Sequence, residues 1–74
     1  MKLPAYFVVG ARPVKAVATA QGGMDILAYD WDSGELRRDM SYLSRLTLPD
    51  AEVESVTEEA FERRVAGLRA KTRP

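Results

Sequence analysis

The densest group of chemically capable side chains runs from Asp30 to Glu35, where three carboxylates flank a serine and a glycine. A calcium loop of the EF-hand type needs oxygen ligands at positions 1, 3, 5, 7 and 12 and a glycine at position 6. Counted from Asp30, Gly34 falls at position 5, and Ser41 stands where the bidentate glutamate belongs. The spacing therefore favours a hairpin turn over a cation site, and we predict no metal.

The sequence lacks the residue types that catalytic sites most often use. The chain contains no histidine and no cysteine, which excludes a neutral-pH imidazole base, a thiol nucleophile, disulfides and the common zinc ligand sets. The serines have no visible activating partner, and Gly22-Gly23 is isolated rather than part of a phosphate-binding loop. We predict a protein that is not an enzyme and carries no cofactor.

Arginines accompany aromatic residues in the middle of the chain, as they do in nucleic-acid sites where bases stack on aromatic rings. The basic residues are Arg37, Arg38 and Arg45, and the aromatic ones are Trp31 and Tyr42. Acidic side chains are interspersed among them, and the whole chain balances eleven basic against eleven acidic residues. Since these acids would repel a phosphate backbone, nucleic-acid binding is the alternative rather than the leading hypothesis.

The same residue types dominate the energetics of protein interfaces, where tryptophan, tyrosine and arginine are enriched at hot spots. We predict a protein-interaction module of the inhibitor, immunity or adaptor type. Its predicted partner-binding residues are Tyr29, Trp31, Arg37, Arg38, Tyr42 and Arg45.

The compartment is predicted from what the sequence lacks. The apolar run near the N-terminus ends at Gly10 and is too short for a secretory signal, and no stretch has the length of a membrane span. Eight arginines against three lysines suggest a GC-rich bacterial or phage genome. We expect a cytoplasmic protein without membrane contact.

With 74 residues and 8.2 kDa, the chain is expected to form one small domain over residues 1–74. A domain of this size buries only about 60% of the surface of its unfolded chain. Small domains without disulfides or a structural metal often gain stability from another subunit, so a homodimer is plausible.

Three turn signals at short intervals predict an antiparallel meander of four strands. The turns lie at Gly10–Pro13, Gln21–Gly23 and Asp32–Gly34. The predicted strands are Tyr6–Val9, Val14–Ala20, Met24–Trp31 and Glu35–Met40. Residues 51–56 form a possible fifth strand at an edge.

A helix over about 57–71 ends the chain, with Thr57 as its N-cap and an apolar stripe formed by Phe61, Val65 and Leu68. The segment 41–48 fits either a short helix or a strand, and we favour a helix near 41–47. The predicted fold class is therefore α+β, with the C-terminal helix packed on one face of the sheet.

Apolar side chains occupy both faces of the predicted sheet, although one helix covers only one of them. We expect Phe61, Val65 and Leu68 to dock on the shallow face formed by Ala16 and Ala28 and by their alanine neighbours 18 and 20. The opposite face would then be covered by residues 41–48, by a second copy of the chain or by another protein. Partner binding is accordingly predicted through this second sheet face and the 29–46 region.

Overall fold

The computed structural model describes residues 2–47 and 52–72. Five strands, a 3-10 turn and two α-helices follow one another along the chain. They are β1 (Ala5–Val9), β2 (Arg12–Ala18), β3 (Met24–Tyr29), β4 (Leu36–Arg38), the 3-10 turn (Met40–Tyr42), α1 (Leu43–Thr47), β5 (Val53–Val56) and α2 (Glu58–Thr72).

The strands form one antiparallel sheet in the order β4-β3-β2-β1-β5. The first four strands are joined by hairpins, while β5 returns to pair with the outer side of β1. The α+β fold, the meander, the fifth edge strand and both predicted helices are confirmed.

The β3–β4 turn is longer than the sequence indicates. The backbone N–H of Asp30 donates to the carbonyl of Glu35 at 2.8 Å, and that of Gly34 donates to the carbonyl of Asp30 at 2.8 Å. Gly34 has a φ of +74°, which only glycine adopts without strain. Strand β3 therefore ends at Tyr29, and Trp31 lies on the turn rather than on the strand.

Strand β2 begins earlier than predicted, at Arg12 instead of Val14. Pro13 is tolerated there because β2 pairs with β3 only from Val14 onward, opposite Ala28. Its missing N–H thus removes no hydrogen bond from the ladder to β3. The early start places the Arg12 side chain at the end of the sheet, opposite Val9.

Helix α2 begins where the sequence predicts. The Thr57 hydroxyl accepts a hydrogen bond from the backbone N–H of Ala60 at 3.1 Å, so Thr57 is the N-cap. Tyr6 donates its hydroxyl hydrogen to Glu58 in the first turn, at 3.0 Å. Partial desolvation, followed by the effect of the Glu58 carboxylate, raises the pKa of Tyr6 above its ordinary value.

The face on which α2 packs differs from the prediction. Phe61 and Val65 pack around the fully buried Tyr29, and the ring centroids of Phe61 and Tyr6 lie 5.1 Å apart. Strand β5 leads the chain to this face, because Val56 pairs with Tyr6. The half-buried residues that complete this cluster are Tyr6, Leu36, Val56 and Leu68.

The alanine face is instead covered by the segment that follows β4. Ala16 and Ala28 belong to a core cluster that also contains the larger side chains of Phe7, Val9, Val14 and Ile26. Met40, Tyr42, Leu43 and Leu46 pack against this cluster. The small alanines leave room for these long side chains, so each face of the sheet carries its own helical layer.

Two glycines give a matched test of these backbone conformations. We expect Gly34→Ala to lower the free energy of unfolding by about 1 kcal/mol, because alanine is strained at positive φ. Gly67→Ala should raise it by up to about 1 kcal/mol, because Gly67 lies inside α2 and nothing approaches a Cβ there within 4 Å. Urea unfolding of the wild type and both variants measures these changes. If the two substitutions changed the free energy of unfolding in the same direction, the backbone conformations described for Gly34 and Gly67 would be wrong.

Candidate interaction surface

Among residues 2–47 and 52–72, Trp31 is the one large hydrophobic side chain that is exposed, with 40% of its surface accessible to solvent. It lies on the β3–β4 turn, and its ring meets the Tyr29 ring edge-on, with the centroids 5.3 Å apart. Such edge-to-face geometry is favourable for aromatic pairs. The buried Tyr29 therefore supports an indole that remains partly open to solvent.

Arg12 lies between two aromatic rings. Its guanidinium carbon is 5.4 Å from the centroid of Trp31 and 5.9 Å from that of Tyr42, both within the range of cation–π attraction. One guanidinium nitrogen, Nη1, also donates to the Tyr42 hydroxyl at 2.8 Å. We call Arg12, Trp31 and Tyr42 the Arg12 cluster.

Three separate elements assemble this cluster. Alternation along β2 places Arg12 on the same sheet face as Val14, which is the face covered by the 3-10 turn. Tyr42 belongs to that turn, and Trp31 extends from the neighbouring β3–β4 turn. The grouping thus depends on sheet register and on the layer that follows β4.

Each of the predicted interface arginines has a carboxylate partner. Arg37 Nε lies 3.1 Å from Asp30 Oδ2, and Arg38 Nε lies 2.9 Å from Asp25 Oδ1. Because Arg37 and Arg38 are successive residues of β4, their side chains leave opposite faces of the sheet. The two do not form one basic patch.

The third of these arginines belongs to α1. Arg45 Nη2 lies 2.8 Å from Glu52 Oε2, a residue that precedes β5. Exposed ion pairs of this kind contribute little stability, but they reduce the free positive charge offered to a partner.

Tyr29 requires a correction to its predicted role as a binding anchor. Its side chain is 0% exposed and packs beneath α2 with Phe61 and Val65. The hydroxyl is buried without a hydrogen-bond partner among the described residues. Tyr29 therefore supports Trp31 from inside and does not itself reach a partner.

An open depression of about 250 Å³ lies beside the Arg12 cluster. Its lining contains arginine and aspartate residues together with apolar ones. The lining residues are Arg12, Ala28, Tyr29, Asp30, Arg37, Arg38 and Asp39. The mixture of basic and acidic residues fits a polar contact surface better than an enclosed small-molecule pocket.

Asp30 organises the turn that carries Trp31. Its carboxylate accepts a hydrogen bond from the Ser33 hydroxyl at 2.8 Å and a longer one from the backbone N–H of Asp32 at 3.3 Å. The Ser33 bond is the main cause that lowers the pKa of Asp30, and Arg37 contributes to the same effect. The acidic segment is thus held as a turn by its own side chains, as its spacing predicts.

Sequence reasoning missed Arg12 as a site residue. Its position before Pro13 points only to extended backbone, and Pro13 also suggests a turn. The available signal is the alternation of Arg12 with Val14, Ala16 and Ala18, which would place a cation at the end of an apolar strand face. That signal does not show which aromatic rings lie beside it.

Comparisons of the chain with protein-family models, with curated proteins and with solved structures returned no match. Within the described ranges, no helix has the length and apolarity required to cross a membrane. The same ranges contain no group of three or more acidic residues placed to hold a metal ion.

Removing the Tyr29 hydroxyl should not destabilise the fold. We expect Tyr29→Phe to raise the free energy of unfolding by about 1 kcal/mol, because a buried hydroxyl without a partner carries a desolvation cost. Tyr29→Ala should lower it by about 3–5 kcal/mol through loss of the ring. Urea unfolding checks both values, and a clear loss for Tyr29→Phe would mean that the hydroxyl has a partner.

We expect the stability of the protein to depend on pH through the Asp30 carboxylate in the β3–β4 turn. Because its folded pKa is below the ordinary value of 3.8, its contribution to stability is present above that pH and is lost as the pH falls through the folded pKa. We expect Ser33→Ala to raise the pKa of Asp30 and to reduce this contribution. Carboxyl-detected NMR titration measures the pKa directly.

Ser41→Ala is the matched control, since the Ser41 hydroxyl bonds to Asp39 and not to Asp30. It should leave the pKa of Asp30 unchanged. An unshifted Asp30 in Ser33→Ala would show that the hydroxyl bond does not cause the lowering.

Proposed function

We propose that this chain is a non-enzymatic protein-interaction module of a bacterial or phage cytosol, of the inhibitor, immunity or adaptor type. It binds through the Arg12 cluster and the adjoining residues of the 29–46 region. The observation that carries this proposal is the partly exposed Trp31, supported by buried Tyr29 and adjacent to Arg12. Tryptophan, tyrosine and arginine are the residue types most enriched at hot spots.

The binding surface is narrower than the sequence indicates. Helix α2 packs on one face of the sheet, and the segment from Met40 to Leu46 packs on the other. A whole sheet face is therefore not offered to a partner. The exposed turn and the end of the sheet provide the surface that remains around Trp31.

An interface of standard size would occupy a modest fraction of the accessible surface. A standard interface takes about 800 Å² from each partner. The total accessible surface is 5022 Å², so such an interface would occupy about a sixth of it. A partner can bind without opening the fold.

Nucleic-acid binding remains the second hypothesis, but no feature of the surface formed by residues 2–47 and 52–72 favours it. It would use Arg37, Arg38 and Arg45, each of which is already paired with a carboxylate. The acidic partners would also have to approach the phosphate backbone. A protein partner can use the same mixture of charges as a polar rim.

Truncation of Trp31 tests the proposed function. We expect Trp31→Ala to weaken partner capture by at least about tenfold, because central aromatic anchors dominate interface energetics. The wild type and the variant are immobilised and exposed to bacterial lysate treated with nuclease. Retained proteins are then quantified by mass spectrometry.

Val17→Ala is the matched control, because it also shortens a partly accessible apolar side chain but lies outside the 29–46 region. It should capture the partner as the wild type does. Light scattering identifies a Trp31-dependent homodimer, in which case the partner is a second copy. The absence of any Trp31-dependent protein or dimer would contradict the proposal, as would retention that disappears with nuclease.

A further inference from the structure

We propose that the Arg12 cluster binds a carboxylate from an acidic segment of the partner protein, with an apolar neighbour of that carboxylate packing on Trp31. This inference rests on the proposed function and assigns the chemistry of the partner. Arg12 is the binding residue, while Trp31 and Tyr42 orient it and provide the apolar contact.

Unlike the other arginines of this surface, Arg12 has no carboxylate partner among the described residues. A guanidinium has five N–H donors, and Arg12 uses one of them, on the Tyr42 hydroxyl. The others have no acceptor within residues 2–47 and 52–72, and no carboxylate there pairs with Arg12. By contrast, Arg37 and Arg38 already hold Asp30 and Asp25.

Arg12 is also oriented before any partner arrives. The two aromatic rings and the bond to Tyr42 restrict a side chain that would otherwise lose considerable rotamer freedom on binding. The rings also replace part of its hydration, which strengthens its attraction for an anion. A planar guanidinium with free donors suits the bidentate geometry of a carboxylate.

The surrounding charges favour a carboxylate over a phosphate. Arg12, Arg37 and Arg38 line the adjoining depression together with Asp30 and Asp39, so residues of both charge signs surround the Arg12 guanidinium. Both anions are already engaged, Asp30 with Arg37 and Ser33, and Asp39 with Ser41. They would nevertheless repel a second negative charge, as a phosphate would bring.

The exposed Trp31 indole indicates which type of side chain lies next to the carboxylate in the partner. Trp31 offers an apolar surface directly beside the cation, so an aliphatic or aromatic side chain next to an aspartate or glutamate would satisfy both contacts. The partner segment is thus expected to combine an acidic residue with apolar neighbours.

Intrinsic fluorescence gives a direct assay, because Trp31 is the only tryptophan of the chain. The probes are blocked Leu-Glu-Leu, its neutral analogue Leu-Gln-Leu, and inorganic phosphate. We expect a saturable change in Trp31 emission with the glutamate peptide at millimolar concentrations. The glutamine peptide and phosphate should bind at least about fivefold more weakly.

Variants at Arg12 assign the effect to its guanidinium. Arg12→Gln should abolish saturation, and Arg12→Lys should weaken it about five- to tenfold, because lysine keeps the charge but loses the bidentate fork. Arg63→Gln is the matched control, since Arg63 lies on α2 and pairs with Glu59, and it should bind the peptide as the wild type does. Amide NMR spectra confirm that each variant is folded.

Several outcomes would overturn the inference. They are equal binding of the glutamine peptide, tighter binding of phosphate, full affinity in Arg12→Lys or Arg12→Gln, and no saturation with any probe. An emission change that follows protein concentration and disappears in Arg12→Gln would assign the cluster to self-association instead.

The lysate experiment separates this inference from the proposed function. Partner capture that requires Trp31 but persists in Arg12→Gln would refute carboxylate recognition and leave the interaction module intact. Peptide binding through Arg12 without any Trp31-dependent partner or dimer would refute the proposed module while retaining the carboxylate site.

Discussion

The central sheet has two apolar faces, and each must be covered by a helical layer. Strands β1 to β3 carry apolar side chains on both faces, and water must be excluded from each face for the sheet to be stable. Helix α2 covers the face of Tyr6 and Tyr29, and the segment around Tyr42 covers the face of Ile26. With both layers in place, Trp31 is the one large hydrophobic side chain that stays exposed among the described residues.

The buried Tyr29 links this packing to the candidate site. Its ring contacts Trp31 at the surface, while α2 encloses it from the other side. The turn that carries Trp31 is also tied to the helix, because Arg69 Nε donates to the carbonyl of Gly34 at 2.6 Å. The exposed indole is therefore held by contacts from the core and from α2, and it begins from an ordered position when a partner binds.

The charge arrangement gives the arginines different roles. Arg37 and Arg38 lie next to the β3–β4 turn and are paired with nearby aspartates, so they form a solvated polar rim. Arg12 instead interacts with two aromatic rings and a phenol hydroxyl, and no carboxylate of the described residues pairs with it. This difference favours recognition of a local carboxylate over general attraction to a polyanion.

Local sequence patterns predict the number and order of the strands, the positions of the three turns, the Thr57 cap and the α+β class, while the exact ends of β2 and β3 differ. Their causes lie within a few residues, in positive φ, capping hydroxyls and alternating side chains. Which layer covers which face follows from long-range packing, because helix placement depends on the pairing of β5 with β1 and on side-chain volumes across the sheet. Long-range packing likewise decided that Tyr29 is buried and that Arg12, thirty residues from Tyr42, lies between two rings. These contacts join segments distant in the chain, and no local pattern specifies them.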